Sequence, residues 1–130
     1  MGLSVLVALV VVMMGYIRLA PSDPVRWHVV PQIEADSDSK GGARRILPGS
    51  RAMLARLDTI ARASPATKVL AGSVESGMIT YVTRTRGFGF PDYTTIYLDG
   101  DQIKIHARLR FGRSDFGVNA ARLKRWIDAL

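Results

Sequence analysis

From Gln102 to Phe111 the chain alternates strictly, with Ile103, Ile105, Ala107, Leu109 and Phe111 interleaved by Gln102, Lys104, His106, Arg108 and Arg110. A period of two sustained this long specifies a strand with one face in a core and the other polar. Asp99-Gly100, just before it, is a two-residue hairpin turn that tolerates positive φ at both centres, so the preceding run is an antiparallel partner. This turn predicts that Ile96 pairs with Ile103 on the core face, while Tyr97 faces Gln102, Thr95 faces Lys104 and Tyr93 faces His106 on the other. Upstream, Lys68 to Val74 and Met78 to Arg86 are rich in Val, Ile, Thr and Tyr and flank the turn-forming Glu75-Ser76-Gly77, which predicts a second hairpin.

Helical periodicity brackets these strands. Ser50 is a good N-cap, Met53, Leu54, Leu57, Ile60 and Ala61 make an apolar stripe, and Pro65 stops the helix; Arg51, Asp58 and Arg62 fall on the other side, the last two as a favourably spaced pair. A closing helix is expected from Asn119 as N-cap, with a Val118-to-Leu123 staple and a buried stripe of Leu123, Trp126, Ile127 and Leu130. The expected fold class is α+β: an N-terminal transmembrane helix, then a helix, a four-stranded antiparallel sheet and a C-terminal helix.

The N-terminal expectation rests on Leu3 to Ile17, where Ser4 and Tyr16 are the only polar side chains. A helix apolar all round is not a surface helix. The run is slightly short for a span, but Met1, Leu19 and Ala20 extend it and Arg18 can snorkel. A cleaved signal peptide wants a basic start and small residues at the cut; no Lys or Arg precedes Arg18, so an uncleaved single-pass anchor over residues 1–20 is the reading, touching the bilayer through 3–19. Arg18 and Arg26 on its C-terminal side mildly favour a cytoplasmic domain. Residues 21–49, with Pro21, Pro24 and Pro31 around Trp27 and His28 and then Ser39-Lys40-Gly41-Gly42, read as an extended linker, and 50–130 as the domain. Trp27 suits the membrane interface or a dock on the domain.

The chain has no Cys, which removes disulfides, thiolate nucleophiles, iron–sulfur clusters and Cys-ligated zinc. Its 18 Lys+Arg against 11 Asp+Glu give +7, a balance that suits nucleic acid, anionic lipid or an acidic partner. Between Lys40 and Lys68 the only acid is Asp58, so that stretch can also grip an anionic leaflet. His28 and His106 lack partners at metal-ligand spacing, so neither a metal nor another cofactor is expected.

Two loops can carry chemistry. Arg84 to Asp92 contains Gly87 and Gly89 but has Asp92 where a dinucleotide fingerprint needs a third Gly, and a strand rather than a helix follows; it reads as a turn with Phe88 and Phe90 under the sheet. Gly112 to Asn119 combines a cation, a hydroxyl, a carboxylate and an amide. Amides at a helix start with Arg110 and Arg113 suit an anion; equally, Ser114 and Asp115 can satisfy local amides, Asn119 can cap, and Arg113 can pair with Asp92 or Asp115. Asp92 and Asp115 would make a carboxylate pair if the loops meet, though nearby arginines would hold both ionised.

The stretches Thr83-Arg84-Thr85, Phe88-Gly89-Phe90-Pro91-Asp92 and Arg110-Phe111-Gly112-Arg113-Ser114-Asp115-Phe116-Gly117-Val118-Asn119-Ala120-Ala121-Arg122 resemble the uncharacterised bacterial and plastid family called domain of unknown function 1499. The likeness covers Met78 to Trp126; Tyr93, His106, Ala107 and Leu109 depart from the family's pattern. The resemblance implies an anchored or exported domain of no agreed activity, with a lean toward the periplasmic side of a bacterial inner membrane.

The expected function is a membrane-anchored, non-catalytic binding or scaffold module for an anionic ligand or envelope partner, with Asp92, Arg110, Arg113, Ser114, Asp115 and Asn119 as binding residues. One alternative is a hydrolase-like enzyme using Asp92 and Asp115. The other is a nucleic-acid-binding sheet face where Tyr93 and Tyr97 interleave Lys104, Arg108 and Arg110, disfavoured by a membrane tether.

Overall fold

The computed structural model describes residues 1–130. In chain order it contains α1 (Gly2–Leu19), α2 (Pro24–Trp27), β1 (Ser37–Ser39), β2 (Gly42–Pro48), α3 (Arg51–Ala63), β3 (Thr67–Ser73), β4 (Met78–Arg84), β5 (Pro91–Asp99), β6 (Gln102–Leu109) and α4 (Val118–Asp128). The sheet is antiparallel throughout, in the order β1-β2-β6-β5-β4-β3.

The sheet has six strands, not four. Residues 37–48, expected within an extended linker, form β1 and β2, and β2 pairs with β6 from Gly42↔Arg108 to Pro48↔Gln102. Gly42 makes that pairing possible, since a Cβ there would lie 2.3 Å from the Ala107 carbonyl oxygen. The β5–β6 register also differs from expectation. Asp99 pairs with Gln102, so Gly100 and Asp101 are the turn centres, and Ile96 sits opposite Ile105, Tyr97 opposite Lys104, Thr95 opposite His106 and Tyr93 opposite Arg108. Gly100 alone takes positive φ, +62°, as expected of a turn with Gly at its first centre. Because each partner shifts by two residues, an even number, every side chain stays on its expected face.

On one face α3 and α4 pack against the sheet. Leu54, Leu57 and Ala61 meet Leu123, Trp126, Ile79, Tyr81, Ile96, Ile103, Ile105 and Ala107 in one core. Each fully buried Leu or Ile there contributes about 1.5–3 kcal/mol relative to exposure. The Ser50 cap forms, its hydroxyl accepting from Met53 N. Asp58 does pair with Arg62 at 2.9 Å, yet it also accepts the Tyr81 hydroxyl at 2.7 Å, so it faces the sheet rather than solvent. Burial, with that carboxylate, pushes the Tyr81 phenol up and keeps it protonated.

The arm after α1 straps the opposite face. Trp27 stacks on Tyr93 with centroids 4.0 Å apart at 14°, Ser22 hydrogen-bonds the Tyr93 hydroxyl at 2.7 Å, and His28 Nδ1 lies 2.8 Å from Thr80 Oγ1. Arg108 donates to the Trp27 carbonyl and to Thr95 Oγ1, and Arg110 to the Pro21 carbonyl. Tyr93 is fully buried beneath Trp27, so its ring is not presented to solvent. Burial beneath the arm, reinforced by Arg108 and Arg44, pushes His106 down to about 4. A His harder to protonate when folded binds fewer protons in the native state, so its contribution is intact above 6.5 and is lost as pH falls from there toward 4. Thermal melts taken between pH 7 and 4 should therefore show a decline that His106→Gln flattens.

Helix α1 is exposed along its length except near its end, where Ile17 and the following Ala20 are buried. It is long and apolar enough to cross a membrane, a test that a signal sequence also passes. Arg84 donates to the Ile17 and Ala20 carbonyls, Arg18 to the Gly87 carbonyl at 3.3 Å, and Tyr16 meets Phe111 edge-on at 6.3 Å. The helix thus ends against the two loops described next.

Candidate functional site

The β4–β5 and β6–α4 loops come together at one end of the sheet. Gly87 and Gly89 take φ of +81° and +71°, conformations open to glycine, which let Thr85 close the first loop on Phe90: Thr85 N donates to the Phe90 carbonyl and Thr85 Oγ1 accepts from Phe90 N, both at 2.9 Å. Both rings are expected under the sheet; Phe90 is only half-buried, and Phe88 is 54% exposed and leans on it with centroids 5.7 Å apart.

In the second loop Asp115 is the organiser. Its amide donates to the Lys40 carbonyl, Oδ1 accepts from Gly117 N, and Oδ2 accepts from the backbone and side-chain amides of Asn119. Ser114 Oγ accepts from Phe116 N. Asn119 is therefore not the N-cap. Gly117 holds that position at φ +79°, and Asn119 lies inside the first turn, fully buried. Asp115 captures the amides an N-cap would have taken. Between Ser114 and Gly117 the loop turns Phe116 outward, 92% exposed and at φ +52°.

A cleft of about 360 Å³ opens between the loops, lined by Phe90, Asp92, Leu109, Phe111, Ser114 and Phe116 among others. Its lining residues Asp92 and Asp115 are joined behind it by a polar chain. Asp92 Oδ2 accepts from Arg122 at 3.3 Å, Arg122 also donates to Asn119 Oδ1, and Asn119 donates to Asp115. Burial pushes the Asp92 carboxyl up against the opposing pull of Arg122, with Asp115 adding to the rise.

Of the expected binding residues, Asp92, Ser114 and Asp115 line this cleft. Asn119 lies behind it, bonded to Asp115 and Arg122. Arg110 points to the other face, donating to the Pro21 carbonyl and the Tyr93 hydroxyl, while Arg113 is exposed, lies outside the lining and pairs with neither Asp92 nor Asp115. The anticipated anion grip by Arg110, Arg113 and helix-start amides is not assembled. Nor are Asp92 and Asp115 free to act as a proton-shuttling pair, one being ion-paired and the other accepting on both oxygens. Arg122 was missed as a contributor to the site; its spacing of three from Asn119, one helical turn on, was the available signal.

Fold and cleft together define a single α+β domain whose N-terminal apolar helix is docked at the cleft end. The chain belongs to the family described as protein of unknown function (DUF1499), whose profile matches residues 19–130 and so takes in the strapping arm as well as both loops. No curated protein matches it.

Proposed function

We propose that this protein is a membrane-tethered, non-catalytic binding module that holds the apolar part of an amphiphilic ligand in the cleft between the β4–β5 and β6–α4 loops. The observation that carries this reading is Phe116, a bulky residue held in the left-handed region with nearly its whole ring in solvent beside an apolar-lined cleft. A non-glycine residue there costs on the order of 1–3 kcal/mol, strain of a kind concentrated where a side chain serves a ligand. The location agrees: the cleft shares Phe111 with the end of α1, so with α1 in a bilayer its mouth lies near the headgroups. The Ser114 hydroxyl at the rim supplies a polar group that orients a ligand.

Phe116→Gly separates ligand binding from stability. Removing the strained Cβ should raise stability by about 1 kcal/mol, a rise in Tm of several degrees. The same change should lower retention of an alkyl-chain lipid about fivefold or more, read by native mass spectrometry of the full chain released from nanodiscs. Equal retention by parent and variant, or none by the parent, would remove the reading.

A further inference from the structure

The β4–β5 loop also borders a second cavity, of about 830 Å³, which shares Thr85, Arg86 and Val118 with the apolar cleft. Its lining brings together Arg18, Arg84, Arg86 and Arg122 and contains no carboxylate. These arginines come from four places: the end of α1, the end of β4, the loop itself and α4. Of the protein's ion pairs, one takes in Arg122, through Asp92, and none takes in Arg18, Arg84 or Arg86. Arg18 donates only to the Gly87 carbonyl, and Arg84 to the carbonyls of Ile17, Ala20 and Gly89, all neutral acceptors. Arg86 is exposed.

Arg18, Arg84 and Arg86, gathered about one cavity without counter-charge, repel one another, and an anion bound among them relieves the arrangement. A tetrahedral phosphate suits them, because the planar fork of Arg meets two phosphate oxygens at once and is weakly hydrated. Two further features mark the basin. Ala66, in its wall, sits at φ +54°, so the backbone there is held in a conformation that L residues rarely adopt. Arg18 lies in the last turn of α1, immediately after the apolar run, where a basic side chain reaches from a helix end to the headgroup level.

We infer that this basin binds the phosphate of an anionic amphiphile whose tail occupies the apolar cleft across the shared wall of Thr85, Arg86 and Val118. The inference rests on the amphiphile reading above and adds the headgroup class. It places four of the chain's 18 Lys and Arg residues about one cavity, distinct from Arg110 and Arg113.

The test uses the full chain in nanodiscs of mixed phosphatidylglycerol and phosphatidylcholine, with lipid retained on the released protein measured by native mass spectrometry. The parent should retain phosphatidylglycerol about fivefold or more over phosphatidylcholine, and Arg86→Gln should bring the two close to parity with no change in Tm. Arg18→Gln should act in the same direction from the other side of the basin. Excess inorganic phosphate should compete only weakly, since it lacks the tail. If phosphate alone displaces the lipid completely, the site is one for free phosphate and the lipid source is wrong. Equal retention of both lipids by the parent overturns the headgroup inference while leaving the cleft reading intact; retention of neither overturns both.

Discussion

Replacing Arg122 by Leu is expected to lower stability by about 3–5 kcal/mol, the cost of leaving a buried charge without its partner. Arg122 and Asp92 have side-chain exposures of 6% and 4%, and no other ion pair includes Asp92. Loss of the guanidinium also strips Asn119 Oδ1 of its donor. For a domain of this size the change corresponds to a fall in Tm of roughly 12 °C or more. The pH dependence has a definite sign. Burial already raises the Asp92 carboxyl, and without Arg122 it rises further, so the folded variant binds a proton that the unfolded chain releases near 3.8. Relative to the parent, the variant's deficit should therefore be largest at neutral pH and shrink as pH falls back through that raised value. Asp92→Asn added to Arg122→Leu should restore part of the loss at pH 7. Circular-dichroism melts at neutral and acidic pH check both, and a variant melting within a degree or two of the parent would show that the pair contributes little.

Trp27→Ala should cost about 2–4 kcal/mol, somewhat less than truncating a fully buried Trp because the ring is only half-buried. The substitution deletes the stack on Tyr93 and the ring over which Arg108 lies at 5.6 Å from the centroid. It also admits water to Tyr93, Thr80 and Thr95, which are fully buried with the arm in place. Trp27→Phe should keep most of the stability, since an aromatic pair is worth about 0.5–1.5 kcal/mol beyond its area and a phenyl ring preserves it. The expected signature is a Tm near the parent's for Phe and well below it for Ala. A Trp27 that served only the membrane interface would leave the domain's melt unchanged in both.

What could be read in the sequence was what local chemistry decides. The Ser50 cap and the Leu54, Leu57, Ala61 stripe follow from residues within one helix, and the faces of β6 follow from alternation alone. The β2 strand could not be read this way. Its Gly, Pro and paired Arg residues resemble a linker, and pairing with β6, distant in sequence, makes it a strand. The β5–β6 pairing was misread by one residue per strand because Asp99-Gly100 is a good turn pair, while Gly100-Asp101 satisfies the same backbone with Gly at the first centre.

The candidate site shows the same division. Asp92, Ser114 and Asp115 were identifiable as unlike polar groups in two loops, and they do line one cleft. Arg110 is close to them along the chain, but the alternation that puts His106 and Arg108 on the polar face continues through it and carries it to the arm side. Arg18, Arg84 and Arg86 were beyond reach, because what unites them is the docking of α1 against a loop some seventy residues later.

The strapped arm also limits how far the domain can move from the end of α1. A free arm of this length would let the domain wander about 20 Å from the end of its anchor. Here Arg84, Arg108 and Arg110 clasp its backbone, and Trp27 closes it onto the sheet. With α1 in a bilayer, the domain has no slack and can neither turn over nor sample the space beyond its own radius. Encounter would then be a matter of lateral diffusion within one leaflet, with the cleft and its arginine basin always presented at a fixed height.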